Sequence, residues 1–580
     1  MEEFVREKKE IPYIKVGNKF KAEFVSMTHD GYAVARIKGL MPKGELKEAF
    51  PVFVDLALPK EAGIIELTEL KASYAKGKIL KLFNDKKVDY RVEPACPNFY
   101  DCGGCQLMHM NYDAQLSFKK TMLKETLRKI GGFDDIVLNK IRGAENPNYY
   151  RNKVQVPFQL QKGKTVCGFF KSNTHIVSPI TTCLIQSDEM TEIVKFIRNL
   201  CNEFRIKGYD ELNNSGDIRH VLVKESTITG EIMVVFVMTR ENVAHMDELY
   251  AKLVKRHPKI VSIIENINSQ VTNTILGEKQ KCVFGKNYIV DKLNGFSFKI
   301  GAKSFYQVNH DQTEVLYNLV KKVGKFDKED ILVDAYCGIG TIGITLANDV
   351  KEIYAVEIVE EAIKNAKENA KLNNISNIHF ECNKAEVQLK KWLDKGVKPT
   401  AIVVDPPRKG CDLSLLKTII ELQIQKLVYV SCDPATLARD LKTLVNGGYE
   451  ISSITPVDMF PQTTHVETVV LLSHKSNNSK VNVNLNFDNE KGKKLIKKVV
   501  EDVDSRKEPE GASYPEIKEY ILNKYNVKVS SLNIAQIKTK YGIIERECYN
   551  KPKSENSRQP NCTKEKEEMI VDALKHFKMI

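Results

Sequence analysis

The chain has 580 residues, enough for roughly three or four domains. Its hydrophobic fraction of 42% suffices for packed cores, yet no run of about 18 apolar residues occurs and the charged start MEEFVREKKE does not read as a signal peptide, so neither a membrane span nor export is expected. A formal charge of +13 favours a polyanionic partner such as nucleic acid, and thirteen cysteines without an export signal fit a reducing cytoplasm, where clustered thiols serve metals or catalysis.

From about Val16 to Val92 the chain reads as short strands. Lys19–Met27 alternates; Tyr32–Ile37, Pro51–Leu56, Ile64–Lys71 and Lys76–Phe83 follow, separated by glycine turns. Such a set predicts a small antiparallel barrel. The strings GNKFKAEFVSMTHDGYAVARI, FVDLALPKE and RVEPACP resemble the TRAM domain, an OB-like barrel attached to RNA-modifying enzymes. Lysines interleaved with Tyr74, Phe83 and Tyr90 suit a grip on an RNA backbone; solvated lysines on an ordinary barrel are the plainer reading.

Cys96, Cys102 and Cys105 follow in a C-x5-C-x2-C spacing, with Gly103 and Gly104 allowing a tight fold around a centre. Three nearby thiolates want a soft metal and a fourth ligand, for which Cys167 and Cys183 are available. Zinc ribbons usually carry two C-x2-C pairs, and only one is present, so an iron–sulfur cluster fits better. The string CPNFYDCGGCQLMHMNYDAQLSFKK, with YRNKVQVPF and GFFKSNTHIVSPITTC after it, resembles the iron–sulfur region of uracil-5-methyltransferases acting on ribosomal RNA. That resemblance implies a [4Fe-4S] cluster on Cys96, Cys102, Cys105 and Cys183. Met108 departs from it, standing where the family commonly has glutamine, with little consequence expected. A radical enzyme, which needs an iron with an open position and typically C-x3-C-x2-C, is the rival that the spacing disfavours.

The middle of the chain reads as helix Glu189–Phe204, strands Ile218–Glu225 and Glu231–Thr239, helix Met246–Arg256 and strand Ser262–Asn268. Together with residues 139–187 this is an α/β insert without a catalytic constellation of its own, suited to cradling RNA. The run Tyr150-Arg151-Asn152-Lys153 suits phosphate or a flipped base about as well as it suits a solvated turn.

At Ile331–Thr341 an apolar strand leads to Asp334 and a turn with Gly338 and Gly340, then a helix over Ile342–Asn348. A lone GxG is weak evidence, but the next strand, Glu352–Glu357, ends in an acid placed to accept ribose hydroxyls, and helix Val359–Leu372 follows. Strand Ile402–Pro407 carries a second acid, Asp405. Without a Walker motif or a full GxGxxG, S-adenosylmethionine suits the site better than a nucleoside triphosphate or NAD. The strings GAKSFYQVNHDQTEVLY, VDAYCGIGTIG, DPPRKG, VYVSCDPATLARDL and PVDMFPQTTHVETVVLL again resemble uracil-5-methyltransferases, in order, over residues 16–473. The resemblance implies donor binding by Gln307, Tyr336, Glu357 and Asp405, and an aromatic contact to the target base from Phe305.

In Leu427–Leu441 a buried strand ends at Cys432, and Asp433-Pro434 is suited to opening a helix. A thiol at a strand's carboxyl end and a helix N-terminus is expected to ionise easily, which favours a nucleophile over an inert buried cysteine. Methylation of uracil C5 calls for such a thiolate at C6 and for a base that removes the C5 proton afterwards. His465 and Glu467 both qualify from the sequence; the resemblance implies Glu467.

Beyond His474, Ser476–Asp488 reads as a linker, Lys493–Val503 as a basic helix, and Tyr514–Asn523, Val527–Ser531 and Leu532–Lys540 as helix, turn, helix. Cys548 and Cys562 lack metal spacing. The expected fold class is therefore multidomain α/β. Residues 9–92 form a TRAM-like OB barrel, 93–300 a central iron–sulfur and RNA-binding domain, and 301–474 a Rossmann-like class I methyltransferase domain. Residues 475–510 form a linker with a basic helix, and 511–580 a helical, winged-helix-like accessory domain. The expected function is S-adenosylmethionine-dependent methylation of a uridine in 23S ribosomal RNA by a cytoplasmic monomer. A transfer-RNA uridine methyltransferase, or a catalytically silent RNA-binding protein, stands as the alternative.

Overall fold

Five strands whose alternate side chains turn inward build the N-terminal part: β1 (Lys19–Met27), β2 (Ala33–Leu40), β3 (Leu46–Val54), β4 (Ala62–Leu70) and β5 (Ala75–Leu82). They close into a barrel in the order β1-β2-β3-β5-β4, around Phe20, Phe24, Ile37, Val52 and Ile65. This is the OB-like architecture expected. The structure, a computed structural model, describes residues 11–475, 514–525, 527–541, 543, 562–577 and 579–580. By its contacts the chain divides into two units, residues 1–476 and 477–580.

A helix that the sequence reading left unassigned follows the cysteines: α1 (Tyr112–Thr126). Its buried positions include Gln115 and Lys119 beside Leu123, so no apolar periodicity marks it. A seven-stranded mixed sheet comes next, in the order β12-β11-β10-β9-β6-β7-β8. Its strands are β6 (Lys153–Gln161), β7 (Lys164–Phe170), β8 (Val177–Pro179), β9 (Ile218–Glu225), β10 (Ile232–Met238), β11 (Ile260–Ile267) and β12 (Lys279–Gly285). Helices α2 (Asp188–Glu203) and α3 (Met246–Arg256) pack their apolar faces on it. Hairpin β13 (Tyr288–Leu293) and β14 (Phe296–Gly301) turns at Asn294-Gly295, both at positive φ, as a two-residue hairpin turn requires.

The second large sheet has the order β17-β16-β15-β18-β19-β21-β20. Its parallel strands are β15 (Ile331–Ala335), β16 (Glu352–Glu357), β17 (Ile378–Cys382), β18 (Ala401–Val404) and β19 (Lys426–Ser431). The central ones, β15 and β18, are nearly continuous apolar runs because helices cover both faces, whereas the edge strand β17 is largely exposed. These helices are α4 (His310–Gly324), α5 (Thr341–Leu346), α6 (Glu360–Leu372), α7 (Ala385–Asp394), α8 (Leu413–Leu422) and α9 (Pro434–Asn446). Strand β21 (Glu467–His474) runs antiparallel between β19 and β20 (Tyr449–Val457). That reversal places the start of β21 at the same edge as the end of β19.

The second unit has three described helices, α10 (Tyr514–Tyr525), α11 (Ser531–Lys540) and α12 (Lys564–His576). They enclose Ile517, Ile521, Ile534, Ile537, Ile570 and Leu574. The first two match the expected helix, turn, helix; α12 was not anticipated, and no strand occurs among the described residues there. The expected linker Ser476–Asp488, the basic helix Lys493–Val503 and Cys548 lie outside the described residues. No described helix is long and apolar enough to cross a membrane.

Candidate active site

The carboxyl edge of the parallel sheet gathers the expected site. Tyr336 follows β15, Glu357 ends β16, Asp405 follows β18 and Cys432 follows β19. In open α/β sheets this edge is where ligands bind. Ser431 pairs with Thr468, so the flanking residues Cys432 and Glu467 emerge side by side. The Asp433 carboxylate caps α9 by accepting from the N–H groups of Ala435 (2.9 Å) and Thr436 (2.8 Å), and Pro434 occupies the first turn. The strand-to-helix turn is thereby fixed, as the sequence predicts.

Tyr336 lies at φ +68°, a region that non-glycine residues rarely enter and that clusters at functional sites. The turn after it uses Gly338 at φ +55° and Gly340 at φ +84°. Glu357 Oε1 accepts from the N–H groups of Ile358 (2.7 Å) and Val359 (3.0 Å), and Oε2 accepts from Gly338 N–H at 3.3 Å. The acid thus ties the glycine turn to its own strand.

Phe305 and Gln307 sit on the segment between β14 and α4. Lys224, buried on β9, donates through Nζ to the carbonyls of Gly301 (2.7 Å) and Ser304 (2.9 Å). Asn152 Nδ2 donates to the Gln307 carbonyl at 3.0 Å. Burial and neighbouring Lys153 push the Lys224 ammonium down to about 7. Sequence reasoning missed both supports, although a lysine inside the apolar run IRHVLVKE was a visible signal. The Tyr150–Lys153 run does not form an exposed phosphate loop: Asn152 is buried, and the Tyr150 hydroxyl donates to the Pro461 carbonyl at 3.0 Å.

The expected site residues line one cavity of about 610 Å³, within the range of small-ligand sites. Gln307, Tyr336, Glu357 and Asp405 share it with Cys432 and Glu467, and Phe305, Phe460 and His465 complete its apolar and aromatic walls. Arg408 lines it as well.

The electrostatics correct one expectation. Burial, then the nearby Glu467 and Asp405, push the Cys432 thiol up to about 12, against the opposing pull of Arg408. The helix N-terminus does not win over desolvation and two acids. Burial and Asp405 push Glu467 up to about 8, and burial alone pushes Asp405 up to about 7. Desolvation and the cations Arg408, Lys119 and Arg151 push His465 down to about 4, although the residue is exposed at the mouth of the cavity. Around neutral pH Glu467 therefore favours its protonated form, a state that a cationic ligand would displace.

Cys96, Cys102, Cys105 and Cys183 line a second cavity, of about 230 Å³; Cys167 is buried outside it. Burial raises the Cys102 and Cys105 thiols, and pushes Cys183 up to about 11. Arg151 and Lys153 line the same cavity, and Arg151 Nε is buried without a hydrogen-bond partner. Among the described residues no group of three or more His, Cys, Asp or Glu side chains is gathered closely enough to hold a single metal ion.

A family model described as tRNA (Uracil-5-)-methyltransferase matches residues 111–475. An "Uncharacterized RNA methyltransferase" of Bacillus cereus is 42% identical over 450 residues, covering 78% of this chain and 95% of that protein. Another, of Clostridium tetani, is 39% identical over 473 residues, covering 82% of this chain and 100% of that protein. The crystal structure of the Pyrococcus abyssi tRNA (uracil-54, C5)-methyltransferase in complex with S-adenosyl-L-homocysteine is similar at a TM-score of 0.60 and 26% identity. That similarity covers 78% of this chain and 99% of that one.

Proposed function

The chain belongs to the tRNA (uracil-5-)-methyltransferase family and is an S-adenosylmethionine-dependent RNA uracil-5-methyltransferase; from that premise we propose that its target is a uridine in 23S ribosomal RNA and that it acts through a transient bond between Cys432 Sγ and C6 of the ring. The observation that carries the covalent route is the register that sets Cys432 and Glu467 side by side in the cavity shared with the four donor-site residues. Cys432 would give up its proton to solvent and add as the thiolate to C6, leaving an enolate whose C5 takes the methyl group. Glu467 would then accept the C5 proton as the C6–S bond breaks and the thiolate leaves. Phe305, largely exposed at the cavity wall, would stack on the unstacked base. S-adenosylmethionine supplies the methyl group; Gln307, Tyr336, Glu357 and Asp405 would hold it, two of them acids suited to hydroxyls and positive charge.

The barrel would add a TRAM-type grip on RNA. Several of its lysines already pair with acids, Lys38 with Glu48 (2.9 Å), Lys71 and Lys76 with Glu69 (2.8 and 3.0 Å). Such exposed pairs contribute little to stability and yield readily to phosphates.

The second cavity supports a [4Fe-4S] cluster on Cys96, Cys102, Cys105 and Cys183. A single ion needs its ligands about 2.3 Å from one point, whereas a cluster spaces its thiolates around a many-atom core. Four thiolates around such a core bring net negative charge, which Lys153 and Arg151, whose Nε is buried without a hydrogen-bond partner, would balance at its wall. Anaerobically purified protein should contain close to four irons per chain and no zinc by elemental analysis; zinc without iron would remove the cluster.

The RNA is the open choice. The barrel with its cysteine segment supports ribosomal RNA; the likeness to the Pyrococcus abyssi enzyme favours transfer RNA as the second reading. Methyl transfer from tritiated donor should label 23S ribosomal RNA lacking 5-methyluridine, and mapping in cells without the gene should show that base lost. Label confined to transfer RNA would decide for the second reading.

A further inference from the structure

The loop between β20 and β21, residues 458–466, carries Phe460 and His465 into the cavity and delivers Glu467. Its hydrogen bonds run to the cysteine segment and to α1. The Gln462 carbonyl accepts from the N–H groups of both Gln106 and Leu107, each at 3.0 Å, and Gln106 directly follows Cys105. Gln462 lies at φ +70°, a conformation kept only where surroundings enforce it. Its side chain and that of Gln115 lock together: Gln115 Nε2 donates to Gln462 Oε1 (2.9 Å), and Gln462 N–H donates to Gln115 Oε1 (3.0 Å). Tyr150, packed in the same apolar cluster as Cys96, Cys105 and Cys183, holds the Pro461 carbonyl. Lys119 donates to the Phe460 carbonyl at 2.9 Å and forms a fully buried ion pair with Asp458.

We infer that the cysteine segment is a positioning element for the catalytic loop: filling the four-cysteine site orders residues 105–107, and these hold Gln462 and so set Phe460, His465 and Glu467. Methyl transfer thereby becomes conditional on an intact cluster. The inference rests on the cluster reading above, but the coupling is carried by separate contacts. The backbone bonds to Gln462 are made by the two residues that follow a proposed ligand, so loosening of that ligand acts on the loop directly.

Hydrogen exchange read by mass spectrometry tests it in the full-length chain, comparing anaerobically purified protein with protein stripped of iron by oxidation and chelation. Exchange in segments 105–110 and 458–467 should quicken by about tenfold or more, with barrel strands β1–β5 unchanged. Gln115→Ala, which leaves every cysteine in place, should keep the iron and the visible absorption yet loosen 458–467. It should lower kcat about tenfold, with KM for S-adenosylmethionine unchanged. Iron-bearing protein whose 458–467 exchange is indifferent to iron removal overturns the coupling alone. Protein that never contained iron overturns the cluster reading on which it rests.

Discussion

Cys432→Ala is expected to lower methyl transfer by about 10⁴-fold or more while leaving RNA binding within a factor of about three. The size of the loss follows from the chemistry. Uracil C5 is a weak carbon nucleophile until C6 is saturated, and no other thiol among the described residues lines the cavity beside Glu467. The modest effect on binding follows from the position. Cys432 is half-buried at a strand end, one small group in a large cavity, and alanine keeps the Asp433 cap and the turn intact. Filter binding and single-turnover transfer of tritiated methyl groups measure the two halves separately. Near-normal transfer by the variant would remove the covalent route. Lost RNA affinity with residual transfer would make the thiol a binding group instead.

Much of this site was legible before the structure, because its residues sit where local chemistry is loud. Strand β19 is a continuous apolar run that ends against Asp433-Pro434, a strong helix-opening pair, so the place of Cys432 follows from local rules. The acid of Glu357 and the Gly338–Gly340 turn likewise stand at the ends of recognisable strands. What escaped was set by distant parts of the chain. Against the expected easy ionisation of Cys432, burial raises its thiol most, and Glu467 and Asp405, remote in sequence but folded against it, raise it further. Helix α1 escaped because its inward face is built from Gln115 and Lys119, whose partners lie in the loop after β20. Their polarity makes sense only once that loop is there to be held. A buried ion pair such as Lys119–Asp458 adds little net stability, but losing one partner costs about 3–5 kcal/mol. Lys224 follows the same logic, an ammonium placed in an apolar strand to hold two carbonyls of another segment.

Glu467→Gln should separate methylation from release. The glutamine keeps the shape of a buried side chain and cannot accept the C5 proton, so the first methyl group should transfer while the enzyme stays bonded to its RNA. Steady-state turnover should fall by about 10²–10⁴-fold, the usual worth of a positioned base. A radiolabelled RNA band migrating with the protein on a denaturing gel reads the trapped adduct. The wild-type pH dependence carries the same assignment. Glu467 must be a carboxylate to act, and its carboxyl in the free enzyme is pushed up to about 8 by burial and Asp405. Activity limited by that step should therefore rise with pH from about 6 to about 9, half-complete near 8, and the rise should disappear in the rate of adduct decay of the glutamine variant. His465, held near 4, would already be neutral throughout that range and would give no such slope. A flat profile together with rapid release by Glu467→Gln would transfer the base to His465, whose replacement by glutamine should then trap the adduct in its place.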